Sequence, residues 1–252
     1  MLQIDSSLRE HAIDGGQIRN RLLQTMSPED FEILRDHLEP VKLAKGAVIQ
    51  DTNKVVTHVY FIESGVVSVV ARTNFDSGVE LLTFGSDGLV GISAVLDGGP
   101  AVYRACVQIA GTAWRINASA IATAMSDRPS IREHLMKFVR MLILRQQHTV
   151  LCNAKHDTAQ KVARWLLLAQ DYVEMDVVPV THDLLSGLLN ARRAGVTQVL
   201  AQFETEGIVA RSRGTIRIRN RDLLQGKSCN CYKAIVATTT CLNELETQAH
   251  QL

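Results

Sequence analysis

Features of secreted and membrane proteins are scarce in this sequence. Its five cysteines are an odd number and widely scattered, which excludes a disulfide framework. No apolar run approaches the roughly 18 to 20 residues that a membrane span needs. The opening MLQIDSSLREHAIDGG has no apolar stretch behind a basic segment, so it does not resemble a signal peptide. These absences predict a cytoplasmic protein that does not bind membranes.

The chain also has no large excess of either charge, because 27 basic and 26 acidic residues leave a net charge of +1. The apolar share of 46% is ordinary for a globular chain, and 252 residues suffice for one to two domains. The sequence contains no P-loop, no HExxH and no GxSxG motif. The adjacent pair His156-Asp157 is more simply a helix junction than a catalytic pair. We therefore expect no enzyme.

Short apolar strands dominate residues 41–118. The stretch HVYFIESGVVSVVAR (58–72) contains two alternating runs separated by Ser64-Gly65, which predicts a strand, a turn and a strand. Turn signals recur about every ten residues, a spacing typical of an antiparallel sandwich or barrel. The pattern predicts a β domain.

A long helix is predicted next, because residues 130–155 contain no Gly or Pro. Its apolar side chains form two adjoining stripes, which predicts that the helix packs against two partners. One partner is the β domain, and the other is the same helix in a second subunit. The alternative is a helix buried within a monomer. The first stripe is Leu135, Phe138 and Leu142, and the second is Val139, Ile143 and Val150.

A helix-turn-helix is predicted from residue 181 onward, after a helix capped by Asp157-Thr158 and a short extended VVPVT. Thr181 is a suitable N-cap for THDLLSGLL, whose leucines 184, 185 and 188 should face inward. Asn190 tolerates the positive φ of a tight turn. A second helix restarts near Arg192 with apolar residues at helical spacing. In this motif the leading end of the second helix enters the DNA major groove.

Arginines cluster at the places where DNA would lie. Arg192 and Arg193 stand at the leading end of the second helix, where an arginine can bond a guanine or a phosphate. The stretch IVARSRGTIRIRN (208–220) predicts a basic β-hairpin, or wing. Residues 192–221 hold seven arginines and two glutamates, a local charge of +5. The residues expected to contact DNA are Thr181, Arg192, Arg193, Thr197, Gln198, Arg211 and Arg213.

Taken together, HVYFIESGVVSVV, DGLVGISAVL and VTHDLLSGLLNARRAGVTQVLAQFETEGIV with its wing resemble the CRP/FNR family of bacterial transcription regulators. The resemblance implies an α+β fold with an antiparallel, jelly-roll-like β-roll, a long dimerisation helix and a winged helix-turn-helix. It also implies a homodimer on palindromic double-stranded DNA, contact with RNA polymerase, an unknown small-molecule effector and no cofactor. The implied divisions are an arm (1–20), a cyclic-nucleotide-binding-like β-roll (21–128), the helix (129–156), the DNA-binding domain (157–225) and a tail (226–252).

The effector region departs from the cyclic-nucleotide pattern. Members that bind cyclic nucleotides carry Gly-Glu and Arg-Ser or Arg-Thr pairs, whereas Leu89 follows Gly88 here and Ala105 follows Arg104. Each lost hydrogen-bond partner costs about 1 to 3 kcal/mol, so control by cyclic AMP in the usual mode is not expected. Arg104 either faces an anionic ligand or is paired internally. The candidate pocket residues are Gly88, Leu89, Gly91, Arg104, Gln146 and Gln147.

Two alternatives concern the tail and the function. Cys229-Asn-Cys231, with Cys241 further on, could bind zinc or an iron–sulfur cluster, but the usual two-residue spacer and a second pair are missing. The favoured interpretation is reduced thiols without metal. The alternative function is a ligand-binding module that acts through protein contacts, and the basic wing argues against it.

Overall fold

The computed structural model describes residues 18–71 and 78–238. The predicted arm up to residue 17 and Cys241 therefore lie outside the described residues. The chain divides into two compact units, which are described separately. Of the described residues, the first contains 18–67 and 84–143, and the second contains 68–71, 78–83 and 144–238.

The β-rich region consists of short strands joined by tight turns, as predicted. Its first sheet has the antiparallel order β1-β8-β3-β6, with Phe61 opposite Trp114. In the second sheet β2 pairs with β7, and β4 neighbours β5. Its elements are α1 (Arg21–Gln24), α2 (Pro28–Arg35), β1 (Glu39–Leu43), β2 (Val48–Gln50), β3 (His58–Ile62), β4 (Val66–Ala71), β5 (Val79–Phe84), β6 (Leu89–Val90), α3 (Ile92–Leu96), β7 (Arg104–Ile109), β8 (Gly111–Asn117) and α4 (Ala118–Asp127).

The turn between β3 and β4 explains the Ser64-Gly65 signal. Gly65 has a φ of 86°, in the left-handed region that favours glycine. A Cβ atom there would lie 2.6 Å from the carbonyl oxygen of Ile109. Both the backbone conformation and the close approach of the chain therefore require glycine.

The predicted long helix is α5 (Pro129–Lys155). Leu135 and Phe138 on its first stripe are fully buried, and the Phe138 ring lies 6.4 Å from that of Phe84 between centroids. On the second stripe, Ile143 is 53% exposed and Val150 62% exposed. The first stripe is therefore packed in the interior. On the second stripe, Ile143 and Val150 stay exposed in the single chain, and Val139 is half-buried.

Besides the end of α5 and most of β4 and β5, the second unit contains four helices, a small sheet and a final helical segment. Its three-stranded sheet has the antiparallel order β10-β11-β9. Asp157 caps α6 in a reciprocal capping box with Gln160, which confirms the predicted helix start. The elements are α6 (Thr158–Val173), β9 (Val177–Val178), α7 (His182–Leu188), α8 (Arg193–Thr205), β10 (Val209–Ser212), β11 (Thr215–Ile218) and α9 (Arg221–Lys227), and residues 230–238 are also helical. Among the described residues, no helix has both the length and the apolar character of a membrane span.

Candidate nucleic-acid interface and effector region

Helix α7 begins as the sequence predicts. The Thr181 side chain accepts a hydrogen bond from the backbone N–H of Leu184 at 3.2 Å. Leu185 and Leu188 are buried, but Leu184 is only half-buried and Leu189 is buried instead. Leu184 lies one turn before Leu188 at the edge of this inward stripe, which Leu189 extends.

The turn between α7 and α8 depends on Asn190, which adopts the predicted positive φ of 46°. Helix α8 then begins with Arg192 at the N-cap, where its side chain makes no capping hydrogen bond. One side of α8 is buried and carries Val196, Leu200 and Phe203. Packing on this side leaves the opposite face of α8 toward solvent.

The exposed face of α8 carries Arg192, Arg193, Thr197 and Gln198. Arg193 Nε lies 2.6 Å from Asp183 Oδ1, and the two side chains are 69% and 70% exposed. Such an exposed pair contributes little to stability, so Arg193 can exchange its partner at low cost. Thr197 Oγ1 lies 3.0 Å from His182 Nδ1. Burial lowers the pKa of His182, and the charges of Arg211 and Arg193 lower it further.

The wing is the β10–β11 hairpin, with its turn at Arg213-Gly214. Gly214 has a φ of 75°, and Ile216 of β11 stands opposite Val178 of β9, which attaches the wing to the rest of the sheet. Arg213, Arg217 and Arg219 are exposed. None of the three forms a direct ion pair within the described residues, although the charge of Arg219 helps to lower the pKa of Glu204.

Besides Arg193, two more of the seven arginines form ion pairs with acidic side chains of the same unit. Glu204 Oε2 accepts bonds from Arg211 Nε at 2.8 Å and Nη2 at 2.6 Å. The Arg211 backbone N–H and guanidinium together lower the pKa of Glu204. Arg221 Nη2 lies 2.6 Å from Asp171 Oδ1. Glu204 is already counted in the local charge of +5, whereas Asp171 and Asp183 come from outside residues 192–221 and neutralise two further arginines.

The predicted effector residues of the β-roll are packed against its own strands. Leu89 is fully buried on β6, opposite Phe61. A Cβ atom at Gly88 would lie 2.6 Å from Phe84 Cδ1. Gly91 has a φ of 110°, and a Cβ atom there would lie 2.9 Å from the His58 carbonyl oxygen.

Arg104 is paired internally, one of the two possibilities open from the sequence. Its Nε and Nη2 lie 2.9 Å and 2.8 Å from Asp51 Oδ1, and this bond is the main cause that lowers the pKa of Asp51. A cavity of about 230 Å³ lies beside Asp51, with His58 and Tyr60 in its lining. Gly88, Leu89 and Gly91 do not line this cavity. Gln146 and Gln147 are exposed on α5.

Cys229 and Cys231 lie beside Cys152 and His156, two residues that the sequence pattern did not connect with them. The four potential ligand atoms all lie within 4.8 Å of one another. The one feature of the sequence that could have indicated this cluster is the four-residue spacing of Cys152 and His156, which places them one helical turn apart. No motif in the sequence joins that turn to Cys229 and Cys231.

Known proteins resemble both halves of the chain. Residues 40–128 match the family described as the cyclic nucleotide-binding domain, and residues 160–226 match the Crp-like helix-turn-helix domain. A CRP-like cAMP-activated global transcriptional regulator of Mycobacterium tuberculosis is 28% identical over 214 residues, which cover 82% of this chain and 92% of the relative.

Solved structures share the fold. FixK2 from Bradyrhizobium japonicum has a TM-score of 0.65 at 15% identity, covering 76% of this chain and 98% of that one. The c-di-GMP responsive global regulator CLP of Xanthomonas campestris has a TM-score of 0.63 at 16% identity, covering 77% and 100%. The two domains occur together in the mycobacterial transcription regulator, and this combination is that of a DNA-binding regulator family and not of an enzyme family. The chain belongs to the CRP/FNR family of transcription regulators.

Proposed function

We propose that the protein acts in the cytoplasm as a homodimer on a palindromic operator and that cyclic AMP in the usual mode does not control it. The observation that carries the proposal is the exposed leading end of α8, together with the exposed arginines of the wing. Arg192, Arg193, Thr197 and Gln198 on α8 would read bases, and Arg213 on the wing would bind a phosphate. Contact with RNA polymerase stays a prediction from the family.

The exposed stripe of α5 supports the homodimer. Met136, Val139, Ile143, Gln146 and Val150 follow one another at alternating spacings of three and four residues, the pattern of a coiled-coil seam. Ile143 and Val150 are more than half exposed, although apolar side chains at such positions gain stability by burial. A second copy of α5 would cover them, with Gln146 available for a polar contact across the seam.

Two features of the β-roll support independence from cyclic AMP. Leu89 is fully buried and apolar at the position where nucleotide-binding members of the family place an acidic side chain. Arg104, the one cationic residue expected to meet a phosphate, is bound to Asp51. A phosphate that used Arg104 would have to break this pair and would gain no hydroxyl from Ala105.

Relatives respond to different ligands, since the mycobacterial protein is described as cAMP-activated and CLP as c-di-GMP responsive. We therefore expect purified protein to select a palindromic motif from a randomised DNA pool without any nucleotide. The selection should be repeated with cyclic AMP, cyclic GMP and cyclic di-GMP, and the recovered sequences compared. A motif that appears only with cyclic AMP would disprove nucleotide independence but leave the DNA-binding regulator intact.

A second prediction separates Arg213 from Arg211 by the salt dependence of DNA binding. Arg213→Ala should reduce the slope of log K against log salt by about 0.9, the value for one phosphate contact. The double variant Arg211→Ala/Glu204→Ala removes an internal ion pair at constant net charge, so we expect the slope to stay unchanged. Fluorescence anisotropy across a salt series measures both. A reduced slope in the double variant would show that Arg211 binds a phosphate, as the sequence pattern predicts.

A further inference from the structure

The cluster of Cys152, His156, Cys229 and Cys231 joins two parts of the second unit. Cys152 and His156 come from the end of α5 and the residue just after it. Cys229 and Cys231 come from the segment that follows α9. The side chains thus converge from two distant stretches of chain, since Cys152 and Cys229 are 77 residues apart in sequence.

The distances in the cluster are those of a single tetrahedral metal centre. Cys152 Sγ lies 3.6 Å from Cys229 Sγ, and Cys231 Sγ lies 3.7 Å from His156 Nδ1. Zinc bonds sulfur at about 2.3 Å and imidazole nitrogen at about 2.0 to 2.1 Å, so tetrahedral geometry places two sulfurs about 3.8 Å apart and a sulfur and a nitrogen about 3.6 Å apart. All six ligand-to-ligand distances fall within 4.8 Å.

The spacing also argues against an iron–sulfur cluster. In a cubane cluster each protein ligand bonds a different iron, so the ligands stand around a core of several atoms. A group in which every ligand atom lies within 4.8 Å of the others surrounds one ion instead.

Burial and charge fit a closed structural site. The three cysteines are 0%, 5% and 3% exposed. Arg164 is also buried, at 3% exposure, and acts electrostatically on Cys152 and Cys231. Its Nε has no hydrogen-bond partner among the described residues. Three thiolates and a neutral imidazole around a dication carry a net charge of −1, which the Arg164 guanidinium would balance as an outer-shell donor to sulfur.

We propose that Cys152, His156, Cys229 and Cys231 bind one Zn²⁺ as a structural Cys₃His centre. All four positions are filled by protein, so the ion would not act as a catalyst. It would hold the segment after α9 against the end of α5, directly before Asp157 starts α6. This function is independent of the proposed operator binding, because zinc can be measured without DNA.

Elemental analysis of the full-length protein, purified without chelators and without an affinity tag that binds metals, tests the proposal. We expect about one zinc per chain, as for other structural sites. Cys231→Ser should lose the zinc, whereas Cys106→Ser, which changes a cysteine outside the cluster, should keep it. Protein with no bound metal, with a Cys152–Cys229 disulfide, or with iron and acid-labile sulfide would overturn the proposal.

A second pair of variants distinguishes loss of zinc through a missing ligand from loss of zinc through misfolding. His156→Cys preserves a tetrahedral donor set and should retain stoichiometric metal, whereas His156→Ala should bind it more weakly. Replacement of zinc by Co²⁺ in the wild-type protein should give the intense visible absorption of a tetrahedral thiolate site. A weak octahedral spectrum, or equal metal affinity in the two His156 variants, would contradict the assignment.

Discussion

The double variant Ile143→Asp/Val150→Asp should be a monomer and should bind its operator at least about 100-fold more weakly than the wild type. Each half-site base pair that goes unread costs about 1 to 3 kcal/mol. A monomer reads one half-site, so the loss of two such contacts already accounts for about 100-fold, at 1.4 kcal/mol per factor of ten. Sedimentation measures the subunit state, and anisotropy measures the affinity.

The expected size of this effect follows from the position of the two side chains. Ile143 and Val150 are 53% and 62% exposed in the single chain, so aspartate should not disturb the interior of either unit. In a dimer, however, the seam would bring each aspartate against its counterpart, and two desolvated like charges oppose association. Leu96→Asp is the matched control, because Leu96 is similarly exposed, at 54%, but belongs to α3 and not to α5. A variant that stays dimeric would exclude α5 as the interface.

Features that depend on neighbouring residues could be predicted from the sequence. The start of α6 at Asp157, the cap of α7 at Thr181 and the positive φ of Asn190 are all set within a few residues of chain. The long helix follows from a run without Gly or Pro. Since local propensity and apolar periodicity agree in these segments, the residue pattern alone is enough to indicate the fold class.

Contacts between distant parts of the chain could not be predicted in the same way. Arg104 meets Asp51 and Arg221 meets Asp171, and neither partner shares a motif with its arginine. The cysteine cluster shows the same limit, because the second pair of ligands that the tail lacks comes from the end of α5 and the residue after it. Counting charges in a segment therefore overestimates the basic surface, since it omits acids that arrive from elsewhere in the fold.

A buried contact between the β4–β5 hairpin and α6 is likewise not signalled by any motif in the sequence. Glu80 Oε2 accepts a hydrogen bond from Ser68 Oγ at 2.5 Å and another from Trp165 Nε1 at 3.2 Å. Ser68, Glu80 and Trp165 are 0%, 3% and 1% exposed. Residues 68–71 and 78–83 belong to the same compact unit as residues 144–238, so this contact lies within one unit. It attaches the hairpin to the first helix of the DNA-binding domain.

Trp165→Ala should lower the free energy of unfolding by at least about 3 kcal/mol, because a large side chain is removed from a fully buried position. Trp165→Phe keeps most of the volume but removes the N–H donor, so its cost should be about 1 to 3 kcal/mol. Urea unfolding followed by circular dichroism gives both values without relying on tryptophan fluorescence.

A double-mutant cycle then isolates the polar contact from the packing. Combining Trp165→Phe with Glu80→Gln should show a coupling of about 0.5 to 3 kcal/mol, since each change weakens the same hydrogen bond. The control pairs Glu80→Gln with Phe203→Leu, because Phe203 is equally buried on α8 and has no polar atom in its side chain. That pair should be additive. Additivity in both pairs would mean that the hairpin is held by apolar packing, and that Glu80 contributes nothing specific to its attachment.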